Sequence, residues 1–220
     1  MPVVRPEDPF DHPIFSESIR LIRAALEPSG VLAALSPVQQ DVMLRLIHSS
    51  GDLSLVDALR CSPGACEVGL QALAAGAPIL TDTAMAAAAV APMARRSFGN
   101  SVRSVLDWAP DQAPPGGTRA AAGMQQALAC HPGAVVLIGS APTALELLLE
   151  QVAQGRSVAP ALVIGMPVGF VGVAESKRHL AASGLAQIRL DGSRGGAGLA
   201  AAAANALLRR AWLDAGDNRL

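Results

Sequence analysis

The 220-residue chain contains no tyrosine, and its aromatic content is only 3%. A platform on which nucleobases stack needs several exposed rings, so single-stranded nucleic acid is a poor fit as a partner. Strong charge of one sign is missing too. The net charge is -1 and only 16% of residues are charged, which removes any global pull toward nucleic-acid phosphate or an anionic membrane. Cysteine is scarce: Cys61, Cys66 and Cys130 form an odd number with no CxxC pair. The spacing of Cys61 and Cys66 suits no common zinc site, so free thiols in a reducing cytoplasm are expected, with no metal. A long apolar run is also lacking. The best candidate, Ala159 to Ala174, is broken by Pro160 and Pro167 and falls short of the ~18–20 residues that span a bilayer. The opening "MPVVRPEDPF" is acidic and proline-rich, unlike a signal peptide. These absences point to a soluble cytoplasmic protein.

What the chain does contain is 51% hydrophobic residues, enough for one α/β domain with a proper core. Residues 1–12 read as an N-terminal arm, 13–213 as the domain and 214–220 as a tail. "HPIFSESIRLIRAALE" places Phe15, Ile19, Ile22 and Leu26 at helical spacing. "SPVQQDVMLRLIHSSG" begins with a capping box, Ser36 with Gln39, has Pro37 at the first helical position and ends at Gly51. "SPGACEVGLQALAAG" reads as a helix closed by Gly76. "APILTD", a weaker "SVRSVLDW", "AVVLIGS", "ALVIGM" and "AQIRLDG" read as strands. Helical stretches lie between or after them: Thr118 to Cys130, Pro142 to Ala153, Ala174 to Ala182 and Gly198 to Trp212. Strands separated by single helices imply a parallel sheet covered on both faces. The alanine-rich "AGLAAAAANALLRR" allows close packing on a sheet or a second subunit. The Pro/Gly-rich stretch Asp107 to Arg119 is long enough to be a lid or a disordered tip.

Three strands run through glycine into a helix, in "VVLIGSAPTALELLLE", "VIGMPVGFVGVAESK" and "IRLDGSRGGAGLAAAA". The first is read with Ser140 as the helix cap. In a parallel sheet such loops share one edge, where ligands bind and helix N-termini offer unpaired N–H groups to an anion. Known phosphate loops do not match. Lys177 follows Ser176 where a P-loop needs Gly-Lys-Ser/Thr, and "GMPVGFVG" lacks the GxGxxG spacing. Among four histidines, His12 and His131 adjoin prolines, and His179 shares a charged, solvated helix with Lys177 and Arg178. His48 alone ends a capped helix one turn after Arg45. The helix terminus favours its imidazolium and Arg45 opposes it, so its pKa is expected near neutrality. Arg23, Arg45, Arg119 and Arg194 are the arginines available to an anionic ligand.

"PALVIGMPVGFVGVAESK", with "GSAPTAL" before it and "AAAANAL" near the end, closely resembles the precorrin-8X methylmutases of corrin biosynthesis. The likeness extends to "FSESIRLIRA", "RLIHSSGD" and "AGAPILTD", from about the first helix almost to the C-terminus. The resemblance implies a three-layer α/β/α homodimer that needs no cofactor and moves a methyl group from C-11 to C-12 of a tetrapyrrole. Its substrate is metal-free or cobalt-bound, and its product is a corrin. It also implies that His48 protonates the macrocycle as general acid. Ser18, Arg23, Arg45 and Arg119 would lie near the substrate, with Thr81, Asp82, Ser140, Gly165, Pro167, Gly169 and Gly172 lining the same cleft. Three places depart from the family pattern. Ser140 replaces the usual Asn after "IG". "GSRGGA" replaces "GRxGGS", which moves the arginine to Arg194 behind Ser193 and puts Ala197 where a serine is usual. "TDTAMAAAAV" lacks the polar residues usual after the Asp. Two other readings stay open at this point: a tetrapyrrole-binding relative without turnover, and a phosphate- or nucleotide-binding α/β protein.

Overall fold

The computed structural model describes residues 10–217. The chain opens with helix α1 (Pro13–Leu26) and α2 (Pro37–Ser50), followed by strand β1 (Leu59–Cys61) and α3 (Ala65–Ala74). Then come β2 (Ile79–Thr81), α4 (Ala84–Arg96), β3 (Val102–Ser104), α5 (Arg119–Cys130), β4 (Val135–Ile138) and α6 (Pro142–Ala153). β5 (Leu162–Gly165), α7 (Val173–Ala182), β6 (Gln187–Leu190) and α8 (Ala197–Asp217) complete it. The sheet order is β1-β6-β5-β4-β2-β3, parallel except for β1, which pairs antiparallel with β6. Both edge strands are three residues long, which limits the open backbone that another chain could pair with.

The core lies on both faces of the sheet. On one, Leu137, Leu162, Ile164 and Ile188 meet Leu73 of α3, Val90 of α4 and the alanine face of α8. On the other, Val136, Ile138 and Val163 meet Met124 of α5, Leu145 and Leu148 of α6 and Leu180 of α7. This is the three-layer α/β/α arrangement expected from the alternation of strands and helices. Helix α8 is buried along most of its length, at Ala200–Ala204, Ala206, Leu207, Leu208 and Ala211. Its small side chains let it pass between the sheet on one side and α2, α3 and α4 on the others.

Two elements carry no sequence reading, and two readings are corrected. β1 has only "LRC" to signal it, and its strand character comes from pairing Leu59, Arg60 and Cys61 with Leu190, Arg189 and Ile188. α4 is hidden in an alanine run with no apolar period and with Pro92 inside it, yet Thr83 caps it through the N–H of Ala86. α8 reaches Asp217, beyond the expected end at Trp212, and Arg210 pairs with Asp214 one turn on. Finally, Lys177 is only 1% exposed: it points inward beside Val173, Ser176 and Leu180 on the buried stripe of α7. The expected arm is described only over Phe10–His12. There Phe10 stacks on Trp212 and Asp11 pairs with Arg209.

Candidate active site

His48 occupies the last turn of α2. That helix starts with the reciprocal Ser36–Gln39 capping box and stops at Gly51, whose φ of 70° is the left-handed conformation a glycine adopts freely. α1 crosses alongside and brings two groups to the imidazole. Ser18 Oγ lies 2.7 Å from His48 Nδ1, and the Phe15 ring stands edge-on to it at 5.1 Å between centroids. Arg45, one turn before His48, lays its guanidinium over the same Phe15 ring at 4.7 Å. Burial, and then the Arg45 charge, push the His48 pKa below the ordinary histidine value. The expected balance near neutrality is therefore tipped downward, because desolvation joins Arg45 against the helix-end effect.

Arg45 is itself under stress. Its Nε is buried with no hydrogen-bond partner among the described residues. Burial first, and then the nearby Arg209, disfavour its charge, with Asp11 in partial opposition. Arg45 and Arg23 share a hollow of about 250 Å³ with Arg209, Asp11 and Asp41, and Arg23 also donates to Gln40 Oε1 at 3.0 Å. His48 opens onto two adjacent hollows. One, of about 340 Å³, includes Phe15, Arg45 and Arg96; the other, of about 290 Å³, includes Ser18, Ile22 and Leu53.

The remaining predicted residues lie along the edge where the parallel strands end. Thr81 and Asp82, at the end of β2, are both 0% exposed. Thr81 Oγ1 donates to the Thr83 carbonyl at 2.8 Å. Asp82 Oδ2 accepts from the backbone N–H groups of Ser140 at 2.6 Å and Ala141 at 2.7 Å. Asp82 thus serves the start of α6. Ser140 is not its cap: Ala141 holds that position and makes no side-chain bond. Burial raises the Asp82 pKa although backbone donors hold it down, and its Oδ1 has no described partner. Ser140 itself is exposed. Arg119 opens α5, exposed, with Nε donating to the Pro110 carbonyl at 2.8 Å. None of Thr81, Asp82, Arg119 and Ser140 lines the hollows that adjoin His48.

Around the loops after β5 and β6, Gly165 and Gly195 meet close neighbours. A Cβ on Gly165 would stand 2.3 Å from Leu180 Cδ2, so the buried Leu180 side chain would have to turn aside to admit one. A Cβ on Gly195 would stand 2.0 Å from the Met166 carbonyl oxygen, which keeps the loops after β5 and β6 in backbone contact. Gly169 donates to the Ser193 carbonyl at 3.1 Å across the same seam. Pro167 is buried there, and Gly172 caps α7. Sequence reasoning overlooked the brace of this seam, Lys177, whose Nζ donates to the carbonyls of Gly192 at 2.9 Å and Arg194 at 2.5 Å. Its burial lowers its pKa to about 8. Arg194 in turn donates to Ser54 Oγ at 2.8 Å and to the Ser54 carbonyl at 3.0 Å. The loop after β6 is thereby tied to the short turn Leu53–Asp57 that follows the His48 helix. Phe15 was read only as part of the apolar face of α1, and Arg209 escaped notice because it sits in no motif.

A half-buried histidine hydrogen-bonded to a serine, beside an arginine whose Nε has no described partner, is an arrangement able to exchange a proton and to pair with an anion. The model of the precorrin-8X methylmutase family matches residues 13–210, and the chain belongs to that family. It is 43% identical over 199 residues to the precorrin-8X methylmutase of Pseudomonas aeruginosa, covering 88% of this chain and 93% of that one. Over 218 residues it is 36% identical to the cobalt-precorrin-8 methylmutase of Synechocystis, covering 93% and 98%. The crystal structure of precorrin-8x methyl mutase from Thermus thermophilus superposes with a TM-score of 0.80 at 40% identity, covering 93% of this chain and all of that one. The chain is an isomerase of the methylmutase type, in cobalamin biosynthesis. No helix among the described residues is long and apolar enough to cross a membrane.

Proposed function

We propose that this enzyme moves a methyl group from C-11 to C-12 of precorrin-8X to give hydrogenobyrinate, with His48 as general acid. One observation carries the reading: His48 Nδ1 is engaged by Ser18 at 2.7 Å at the mouth of a hollow. With Nδ1 donating to the serine oxygen, the imidazolium offers Nε2–H to the macrocycle. Protonation makes the conjugated ring electron-poor next to the migrating group. The bond at C-11 then breaks as the bond at C-12 forms, and the proton returns. The lowered His48 pKa makes its protonated form a stronger acid. Arg45 holds a carboxylate of the substrate rim, which supplies the partner its Nε lacks and relieves its repulsion from Arg209. Arg23, in the same hollow, and Arg119, at the sheet edge, hold others, while Ser140 and the Gly165–Gly172 loop form the bed at that edge. Thr81 and Asp82 shape this bed from beneath.

Each hollow is small beside a tetrapyrrole with its carboxylate arms, so the cleft is closed by the second subunit of a homodimer. Support comes from Phe170 and Val171, 96% and 89% exposed in the loop after β5, with Met85 at the start of α4 on the same sheet edge. Apolar groups this exposed are costly in water and are covered in an assembly.

The test is incubation with metal-free precorrin-8X and, separately, with its cobalt-bound form. Conversion to the C-12-methylated corrin in either incubation is the expected result, and the faster form identifies the substrate. Binding without conversion of either would contradict the proposed activity and leave a corrinoid-binding protein.

A further inference from the structure

The methyl transfer leaves one reactive pair of side chains unused. Cys61 ends β1 and Cys66 lies in the first turn of α3, and the Cys66 thiol donates to Cys61 Sγ across 3.7 Å. All three cysteines are free thiols, Cys61 half-buried, Cys66 buried and Cys130 exposed. A disulfide needs its sulfurs about 2.05 Å apart, so the pair has to close by less than two ångströms. The segment between them allows this. Pro63 and Gly64 form an exposed turn, and Gly64 has free space around its Cα and a φ of 71°.

We propose that Cys61 and Cys66 form a reversible dithiol–disulfide site, oxidised by a small disulfide such as oxidised glutathione. Cys61, the more accessible sulfur, attacks one sulfur of glutathione disulfide. A mixed disulfide forms and one glutathione thiolate leaves. Cys66 then gives up its proton to solvent and attacks the Cys61 sulfur, forming the ring and expelling the second glutathione. Two protein thiols are oxidised and one glutathione disulfide is reduced to two thiols, so the exchange balances. The local charges suit this order. The Cys66 thiol stabilises a Cys61 thiolate, burial and Glu67 oppose it, and Arg189 assists it, with the net effect in its favour. Cys66 holds its own proton chiefly because of the neighbouring Cys61 sulfur, a restraint that ends once Cys61 is in a mixed disulfide.

Thiol titration and intact mass after treatment with excess oxidised glutathione test the proposal, on Cys130→Ser protein so that the exposed thiol does not interfere. The expected product has no titratable thiol, a mass about 2 Da below the reduced protein, and full recovery of both thiols with dithiothreitol. With Cys66→Ala added, the same treatment should leave a stable glutathione adduct on Cys61. Two unreacted thiols in the folded Cys130→Ser protein, or a lasting glutathione adduct in place of the ring, would overturn the proposal. In the wild-type chain the same treatment should form the ring and add a single glutathione, at the exposed Cys130.

Discussion

The chemistry of His48 is set by its immediate neighbours. Ser18 Oγ, 2.7 Å away, fixes which ring nitrogen faces outward. Ser18→Ala should therefore lower kcat by roughly 10- to 100-fold, with KM nearly unchanged, because it frees the ring without touching the substrate. A raised KM at unchanged kcat would mean that Ser18 binds substrate instead. Arg45 acts on His48 through its charge as well as on the substrate. Its removal in Arg45→Ala should weaken corrinoid affinity by about 1.5–3 kcal/mol and lessen the dependence on salt. The same substitution takes away one of the two influences that lower the His48 pKa. The pH at which the rate falls should consequently move upward in that variant. Steady-state rates across pH separate the two effects.

At the scale of elements, the seam between the loops after β5 and β6 depends on Lys177. A neutral amine has two N–H donors, and two carbonyls, those of Gly192 and Arg194, receive them. The folded pKa of about 8 is depressed from the ordinary 10.5. The folded state therefore disfavours the proton, and this group's contribution to stability is complete above the unfolded pKa and is lost as pH falls through about 8. Urea denaturation should show wild type gaining stability over Lys177→Met between pH 8 and 10.5; a pH-independent difference would contradict it. The same elements show how far the residues alone can be read. The capping box of α2 and the strands β4, β5 and β6 were legible because cap spacing and unbroken apolar runs are local signals. β1 and α4 were not: a three-residue strand exists through its partner, and an alanine helix shows no period. The glycines at 165 and 195 were visible as unusual, but a ligand and a neighbouring backbone both demand missing side chains. Only the positions of Leu180 and Met166 show which demand these two glycines meet. Arg209, opposite Arg45 from the far end of the chain, has no local signal at all.

The whole molecule is one α/β/α layer structure, with glycine loops at the sheet edge and His48 on separate hollows lined by α1, α2 and the last turn of α4. Arg194 joins the two by bonding Ser54, even though it stands one place later than the family pattern. The exposed Phe170 and Val171 make assembly the property to test at this scale. Light scattering at micromolar concentration should return twice the 22.4 kDa chain mass, and Phe170→Asp should shift the protein toward monomer and reduce turnover. A wild-type protein that stays monomeric at every accessible concentration would remove the second subunit from the account.

The central claim, proton donation by His48, is tested most directly by single-turnover rates of wild type and His48→Ala over a range of pH. Only the imidazolium donates, so the wild-type rate should fall as pH rises through a value below the ordinary histidine range, as burial and Arg45 require. His48→Ala should lose at least about 10²-fold in rate, keep its affinity for substrate and show no such fall in whatever activity remains. Circular dichroism on the same samples establishes that the variant is folded. A folded His48→Ala protein that converts precorrin-8X at the wild-type rate, or with the same fall in rate at the same pH, would contradict the mechanism.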